Sequence, residues 1–320
     1  MARNLVCIGA CYLDTILSVS YYPGEDEKLR AAKRHVRRGG NCPNLLQVFQ
    51  QLLRSGQDVD EDDRDINLYL VTCLPSRDAP ATSTITNSFG RNTLVDISKS
   101  IFRDGSWEAA SCYIIRSEAN GSRTSVNYND LPDMTFDEFV NAVQDMTGDT
   151  WFHFEGRIPT TTLQCIQWLR HSKPNAKVSV EIEKAGRTGL EELAGAADVV
   201  FYSRSWAESK AYESAEECLR GQSAPARNPQ VAPAQHHLCT WGSDGASLST
   251  PSGNILVCPA SRPGQVIRVI DTIGAGDTFI AGSLFGFLCH EDWGDQARLD
   301  FAVGLATRKV QQEGFEGLGV

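Results

Sequence analysis

Five short runs of apolar and β-branched residues recur along the chain: Leu5-Val6-Cys7-Ile8, Ile66-Asn67-Leu68-Tyr69-Leu70-Val71, Trp151-Phe152-His153-Phe154, Val178-Ser179-Val180 and Asp198-Val199-Val200-Phe201-Tyr202. Near-continuous apolar strands are covered on both faces, which is the pattern of a mostly parallel sheet. Between the first two runs, Leu45, Leu46, Val48, Phe49, Leu52 and Leu53 follow a helical period that stops at Ser55-Gly56, with Gly56 placed to cap the helix. Alternation of strand and helix through most of the 320 residues predicts an α/β sandwich with right-handed crossovers, a single domain over 1–320 with a small accessory piece.

The accessory piece has its own pattern. Leu13 to Val19 and Ser111 to Tyr128 are strand-like, and the second holds Asn120-Gly121 between Ile114-Ile115 and Thr124-Ser125-Val126, a two-residue hairpin signal. Together they predict a small sheet over one end of the large domain, a lid formed by about 13–38 and 111–129. The acidic run Asp58 to Asp65 and the Ala-, Pro- and Gln-rich stretch Gly221 to Gln235 read as surface loops without an assigned role.

Charge and composition then narrow the partners. The net charge of −10 repels nucleic acid and anionic lipid. The one locally basic segment, Arg30 to Arg38, lacks interleaved aromatic residues and reads as a solvated face of a lid strand or loop. Thr278 to Cys289, the longest strongly apolar stretch, is shorter than the about 20 residues a bilayer requires, so no membrane partner is expected. The N-terminus has too short an apolar run for a secretion signal, and the 10 cysteines are scattered with no Cys-x-x-Cys pair. Reduced, packed thiols and a cytoplasmic location follow as expectations.

The sharpest candidate for chemistry is Asp271-Thr272-Ile273-Gly274-Ala275-Gly276-Asp277-Thr278, a glycine-rich turn running into a helix that is apolar almost all round. Glycines let the backbone approach a ligand, and the first helical turn leaves N–H groups free for an anion such as a transferring phosphoryl group. Asp277 is the side chain placed to take a proton from a hydroxyl beside that anion hole. The plain alternative is a turn that only caps a core helix. A second cluster, Gly39-Gly40-Asn41-Cys42-Pro43-Asn44, opens the helix that begins near residue 44 and puts two amides three residues apart on one side, suited to sugar hydroxyls. Its alternative is a Gly-Asn turn with Asn41 as N-cap. Asp14, with apolar neighbours in the first lid strand, is either a ligand group or a solvated acid.

These pieces, in this order, resemble the ribokinase-like (PfkB) carbohydrate kinases, whose marks are an early Gly-Gly-x-x-x-Asn segment and a late Asp-Thr-x-Gly-Ala-Gly-Asp turn. Gly40 and Gly276 lie 236 residues apart, in keeping with that family. Within it, Tyr22-Pro23-Gly24-Glu25-Asp26, Gly121-Ser122-Arg123-Thr124, Glu155-Gly156-Arg157, Ser179-Val180-Glu181-Ile182-Glu183-Lys184 and Gly314-Phe315-Glu316-Gly317 are most similar to the ketohexokinase branch, and the resemblance runs from residue 5 to about 317. It implies a three-layer α/β/α sandwich with a β-sheet lid, ATP as co-substrate, Mg²⁺, and transfer of the γ-phosphoryl to a primary hydroxyl of a ketose, with fructose and a second copy of the chain clasped through the lid as the expected partners.

Carried over by position, the resemblance implies that Asp14, Gly40, Asn41 and Asn44 hold the sugar, that Asp277 is the base and touches it, and that Gly274, Ala275 and Gly276 form the anion hole and meet the nucleotide. Gly242, Ser243, Asp244 and Gly245 would line the ATP site, and Arg123 would reach its phosphates from the lid. Glu155 and Arg157 are further sugar candidates, and Asp26 would reach the neighbouring subunit's site. A helix N-terminus next to Asp277 is expected to lower its proton affinity. Two departures stand out: Ser203-Arg204-Ser205-Trp206 occupies the place where ribokinases carry Asn-x-x-Glu, leaving the metal ligands unassigned, and Thr72-Cys73-Leu74-Pro75 lacks the family's sugar-contacting glycines. A ribose or adenosine kinase, or a catalytically silent sugar or nucleotide sensor on the same fold, are the alternatives. A Rossmann dehydrogenase would need Gly-x-Gly-x-x-Gly after the first strand, and Gly9-Ala10-Cys11-Tyr12-Leu13-Asp14 does not supply it.

Overall fold

The computed structural model of the chain describes residues 3–55, 66–223, 236–262 and 264–319. Gly56, the Asp58–Asp65 run and all but the first three residues of Gly221–Gln235 lie outside the described residues. In chain order the strands are β1 (Arg3–Ile8), β2 (Tyr12–Val19), β3 (Lys33–Gly39), β4 (Ile66–Val71), β5 (Cys73–Pro75), β6 (Val95–Asp96), β7 (Ile101–Arg103), β8 (Ser111–Ser117), β9 (Arg123–Tyr128), β10 (Asp149–Glu155), β11 (Lys177–Ile182), β12 (Val199–Tyr202), β13 (His236–Thr240), β14 (Ala246–Ser249) and β15 (Ile255–Cys258). The helices are α1 (Asn41–Ser55), α2 (Pro80–Asn87), α3 (Phe136–Val143), α4 (Pro159–Ser172), α5 (Leu190–Ala196), α6 (Arg204–Ser209), α7 (Ala215–Gln222), α8 (Ala275–Cys289) and α9 (Asp295–Val310).

The five apolar runs form adjacent strands of one sheet, ordered β15-β14-β13-β12-β11-β10-β1-β4-β6. Its pairings are parallel from β13 to β6, and antiparallel for β13 with β14 and β14 with β15. The period of two divides each strand between two cores. Leu5, Cys7, Val199 and Phe201 pack beneath α1, α8 and α9, whereas Val6, Ile8, Val200 and Tyr202 pack beneath α3 to α7. Two helical layers on one sheet make the α/β/α sandwich that the alternation predicts. Almost every residue from Asp277 to Cys289 is buried, which explains why α8 has no polar face.

A separate four-stranded sheet, β3-β2-β8-β9, draws on the segments expected to pair across a long sequence interval. Two details differ from the sequence reading. Asn120-Gly121 is not a two-residue turn: the strands part at Ser117, whose N–H meets Ser122 O at 3.0 Å, and Gly121 N–H turns back on Ser117 O at 2.9 Å. Asn120 Oδ1 accepts from Ser122 N at 3.0 Å, so the amide closes a longer loop. The basic segment is not solvated throughout either. Lys33, Arg34 and His35 are exposed, but burial rises along β3 toward its carboxyl end and takes Arg38 to 7 % exposure.

Every parallel strand of the large sheet ends on the same edge, the usual location of ligands in open α/β sheets. The chain leaves β1 there through Gly9-Ala10-Cys11 and enters β2, which places the small sheet beside that edge.

Candidate active site

Gly40 sets the geometry. It has φ +106°, and a Cβ on it would lie 2.2 Å from Ala10 O, so only glycine lets β3 turn into α1 so close to the end of β1. Gly40 O accepts from Asn44 N at 3.0 Å, so Gly40, not Asn41, is the residue that caps α1, and the helix begins at Asn41. Asn41 and Asn44 therefore stand one turn apart on one face, as the spacing predicts. Asn41 Nδ2 donates to Glu181 Oε1 and Oε2 at 3.1 and 3.0 Å and to Glu183 Oε2 at 3.2 Å. Asn44 Nδ2 donates to Asp277 Oδ2 at 2.8 Å.

The glycine-rich turn approaches from the other side. Gly274 caps α8 with φ +79°, and a Cβ there would meet the Phe315 ring at 2.3 Å. A Cβ on Gly276 would meet open space, so this glycine leaves room instead of avoiding a clash. Ala275 N–H turns back on Thr272 O at 3.3 Å, and the first N–H of the helical ladder belongs to Thr278, bonded to Gly274 O at 2.9 Å. The first-turn N–H groups of Gly276 and Asp277 have no carbonyl inside the helix to meet. Asp277 makes no side-chain cap on α8, and its carboxylate turns to Asn44. The turn does cap α8, through Gly274, but the Asp277 side chain takes no part in that cap.

Behind the turn, Asp271 is held from three directions. Lys309 Nζ, fully buried in α9, reaches Asp271 Oδ2 at 2.9 Å and Asp271 O at 3.1 Å. Arg37 Nη1 comes from β3 at 3.4 Å, and Asp271 Oδ1 accepts from Ile273 N at 3.0 Å. Burial opposes the charge on Asp271, but these donors outweigh it and hold the carboxyl below its ordinary value. Arg123 enters from β9, where its Nη2 donates to Thr272 Oγ1 at 2.8 Å and ties the small sheet to the turn.

Asp14, Gly40, Asn41, Asn44, Gly274, Gly276 and Asp277 border one cavity of about 370 Å³. Asp14 is buried, with Gly39 against its carboxyl, so it is not a solvated strand acid. Burial raises its pKa, with Arg37 and Arg38 acting the other way. For Asp277 the expectation of lowered proton affinity is reversed. Burial pushes its carboxyl up to about 8; the Asn44 hydrogen bond and Arg38 lower it, while Glu183 and Glu155 raise it. Desolvation and like charge override the partial charge of the helix N-terminus.

The other expected residues fall elsewhere. Glu155 and Arg157 border a second, smaller cavity of about 60 Å³ beside Thr72 and Cys73, where Glu155 Oε2 accepts from Ala10 N at 2.8 Å. Gly242, Ser243 and Asp244 form a 3₁₀ turn at the carboxyl end of β13, next to Thr240, which borders the main cavity. Gly245 is required because a Cβ would lie 2.0 Å from Cys258 O. Ala275 opens α8, and Asp26 sits in the exposed connection between β2 and β3 and lines neither cavity. Ser203 caps α6 and donates to Glu183 O at 2.6 Å, while Trp206 is buried against Tyr202.

Glu181 and Glu183 stand in a segment that carries the resemblance, but the sequence reading gave them no role in the site. Alternating acids at the carboxyl end of a parallel strand would have pointed to them, since period two puts both on one side. Arg38 and Lys309 gave no such signal: one lies in a charge run and the other is a lone lysine in an amphipathic helix.

The description of the pfkB family of carbohydrate kinases matches residues 2–317. Ketohexokinase of Mus musculus is 30 % identical over 334 residues, covering 99 % of this chain and 99 % of that protein. Among solved structures, Arabidopsis thaliana ribokinase in complex with ribose and ATP superposes with a TM-score of 0.71 at 18 % identity, covering 98 % of this chain and 94 % of the other. Ribokinase from Giardia lamblia gives 0.74 at 14 % identity, over 99 % and 96 %.

Proposed function

The chain belongs to the pfkB family of carbohydrate kinases, a phosphotransferase with an alcohol acceptor, and on that premise we propose that it transfers the γ-phosphoryl of ATP to a primary hydroxyl of a ketose, fructose first among candidates. The observation that carries the reading is the meeting of Asn44 and Asp277 at 2.8 Å, which brings a buried carboxylate and the open first turn of α8 to one cavity wall. Asp277 accepts the hydroxyl proton as the oxygen attacks phosphorus. The Gly274–Asp277 turn, through the N–H groups of Gly276 and Asp277 that meet no helical carbonyl while that of Ala275 turns back on Thr272 O, and Arg123 from the small sheet face the charge on the transferring group. Asp14, Gly40, Asn41 and Asn44 hold the sugar, with Glu155 and Arg157 bordering the neighbouring cavity. Gly242 to Gly245 flank the nucleotide. The relative named ketohexokinase, at 30 % identity, favours a ketose over ribose or adenosine.

Magnesium takes hard oxygen ligands and is commonly held by one or two carboxylates together with substrate phosphates. Among the described residues no group of three or more His, Cys, Asp or Glu side chains is arranged around a metal position. Glu183, facing the main cavity, fits as the carboxylate donor for a cation that arrives with ATP and neutralises phosphate charge. The small sheet acts as a lid that excludes water from the transfer.

All 10 cysteines are free thiols, which supports a reducing, cytosolic setting, and among the described residues no helix is long and apolar enough to cross a membrane. An ATP-consumption screen over fructose, tagatose, sorbose, ribose and adenosine tests the reading. Sugar-stimulated ADP release strongest with fructose is expected, release with ribose or adenosine alone would replace the acceptor, and none with any member would remove the activity.

A further inference from the structure

Asn44 meets Asp277 through one end of an amide whose two ends are chemical opposites, so the contact depends on what holds the other end. That end, Oδ1, accepts from Arg38 Nη1 at 3.2 Å. The guanidinium is fixed in turn: Nε donates to Ser88 Oγ at 3.0 Å, and its carbon lies 4.3 Å from the centroid of the Phe89 ring. Ser88 and Phe89 follow α2 and border neither cavity, and Arg38 itself is 7 % exposed and outside the cavity wall. Burial lowers Arg38 to about 10, so it remains a cation at neutral pH, facing Asp14 and Asp277.

A guanidinium has donors and no acceptor. It can hold the amide only by Oδ1, and this leaves Nδ2 as the end turned to Asp277. An amide turned the other way would leave a buried cation short of an acceptor and, once Asp277 is ionised to act as base, set an oxygen against its carboxylate, an arrangement then penalised twice. We infer that Arg38 is a positioning residue for phosphoryl transfer, which acts through Asn44 to orient the Asp277 carboxylate without touching sugar or nucleotide. The inference rests on the reading of Asp277 as proton acceptor.

Steady-state kinetics with ATP and the fastest sugar of the panel test it in Arg38→Met, Arg38→Lys, Asn44→Ala, the Arg38→Met/Asn44→Ala pair and Asp277→Asn. Misplacing a reacting group by about 1 Å can cost about 100-fold in rate. Arg38→Met is therefore expected to lower kcat by about 10- to 100-fold with little change in KM for ATP, and Arg38→Lys, which keeps a cationic donor, to recover part of the loss. In the Asn44→Ala background, Arg38→Met should cost no further kcat, because residues acting along one path are not additive. Losses that multiply in the pair, or equal losses in Arg38→Lys and Arg38→Met, would overturn the inference. Should Arg38→Met fail to fold, Ser88→Ala frees Nε while keeping the cation, and its smaller kcat loss should likewise vanish in Asn44→Ala. Near-wild-type turnover in Asp277→Asn would overturn the reading of the site, whereas an inactive Asp277→Asn with additive Arg38 and Asn44 effects would overturn this inference alone.

Discussion

At the scale of single residues, Asp277 carries the sharpest expectations. Asparagine preserves its shape and a hydrogen-bonding partner for Asn44 but cannot take a proton. General base catalysis contributes about 10²- to 10⁴-fold, so Asp277→Asn should lower kcat by that range with ATP binding little changed. Its carboxyl, pushed up to about 8 by burial, must be ionised to act as base, so kcat/KM for the sugar should rise with pH through about 8. A limb near the ordinary carboxylate value of about 4 would refute a base in this environment. The same shift bears on stability. A carboxyl whose folded pKa lies above its unfolded one contributes stability that is complete below the unfolded value and is lost as pH rises through the folded one. Asp277→Asn removes that loss, so its melting temperature should exceed that of the unaltered protein by a margin that grows from about pH 4 to about pH 8 and then levels off. Were Asp277 only a helix cap, the two melting curves would track each other, since Asn caps about as well as Asp.

At the scale of elements, the anion-binding turn depends on α9, which meets it from behind. Lys309 Nζ is buried and holds both the carboxylate and the carbonyl of Asp271. Lys309→Met keeps the bulk of the stem and removes the cation, leaving Asp271 with Arg37 at 3.4 Å as its remaining cationic partner. Breaking a buried pair costs about 3–5 kcal/mol. A loss of about 3 kcal/mol in urea unfolding is expected, accompanied by a raised KM for ATP as the turn loosens. Unchanged unfolding would mean that Arg37, Arg123 and the backbone bonds to Val310 O hold the turn without Lys309. The turn and α1 were legible in the sequence because both are local: glycines at positions of positive φ, two amides one turn apart, and an apolar run without a polar face. Their relation to each other was not, since Asn44 and Asp277 are separated by 233 residues and no periodicity connects them.

At the scale of the whole molecule, the small sheet presents an unusual outer face. Val36 pairs with Thr15, Thr15 with Tyr113, and Tyr113 with Val126, so these residues form one row across all four strands. Val36, Tyr113 and Val126 are exposed to 37 %, 51 % and 63 %, too much apolar surface for a sheet of this size to leave to water. A second copy clasped on this face is the proposed cover. Light scattering at micromolar concentration should give the mass of two chains, and Tyr113→Lys together with Val126→Lys should give one. If Asp26 acts in the partner's site, that monomer should also show a raised sugar KM. A monomeric starting protein would sink the clasp.

Sequence by itself determined what sterics and periodicity fix within a few residues. The apolar runs became β1, β4, β10, β11 and β12, side by side and parallel, and Leu45 to Leu53 became α1. Gly40 and Gly274 turned the chain at positive φ, where a side chain would have struck Ala10 or Phe315. Tertiary structure decided the electrostatics. Asp277 stands at a helix N-terminus in the sequence, which lowers proton affinity, yet the fold buries it and faces it with Glu183 and Glu155 from two other strand ends, and its carboxyl rises. Arg38 belongs to a run of charges, yet the carboxyl end of β3 is buried and places it against Ser88 and Asn44. Backbone preferences act between neighbours in the chain, whereas desolvation and Coulomb interaction depend on distance in space, and that distance exists only once the chain has folded.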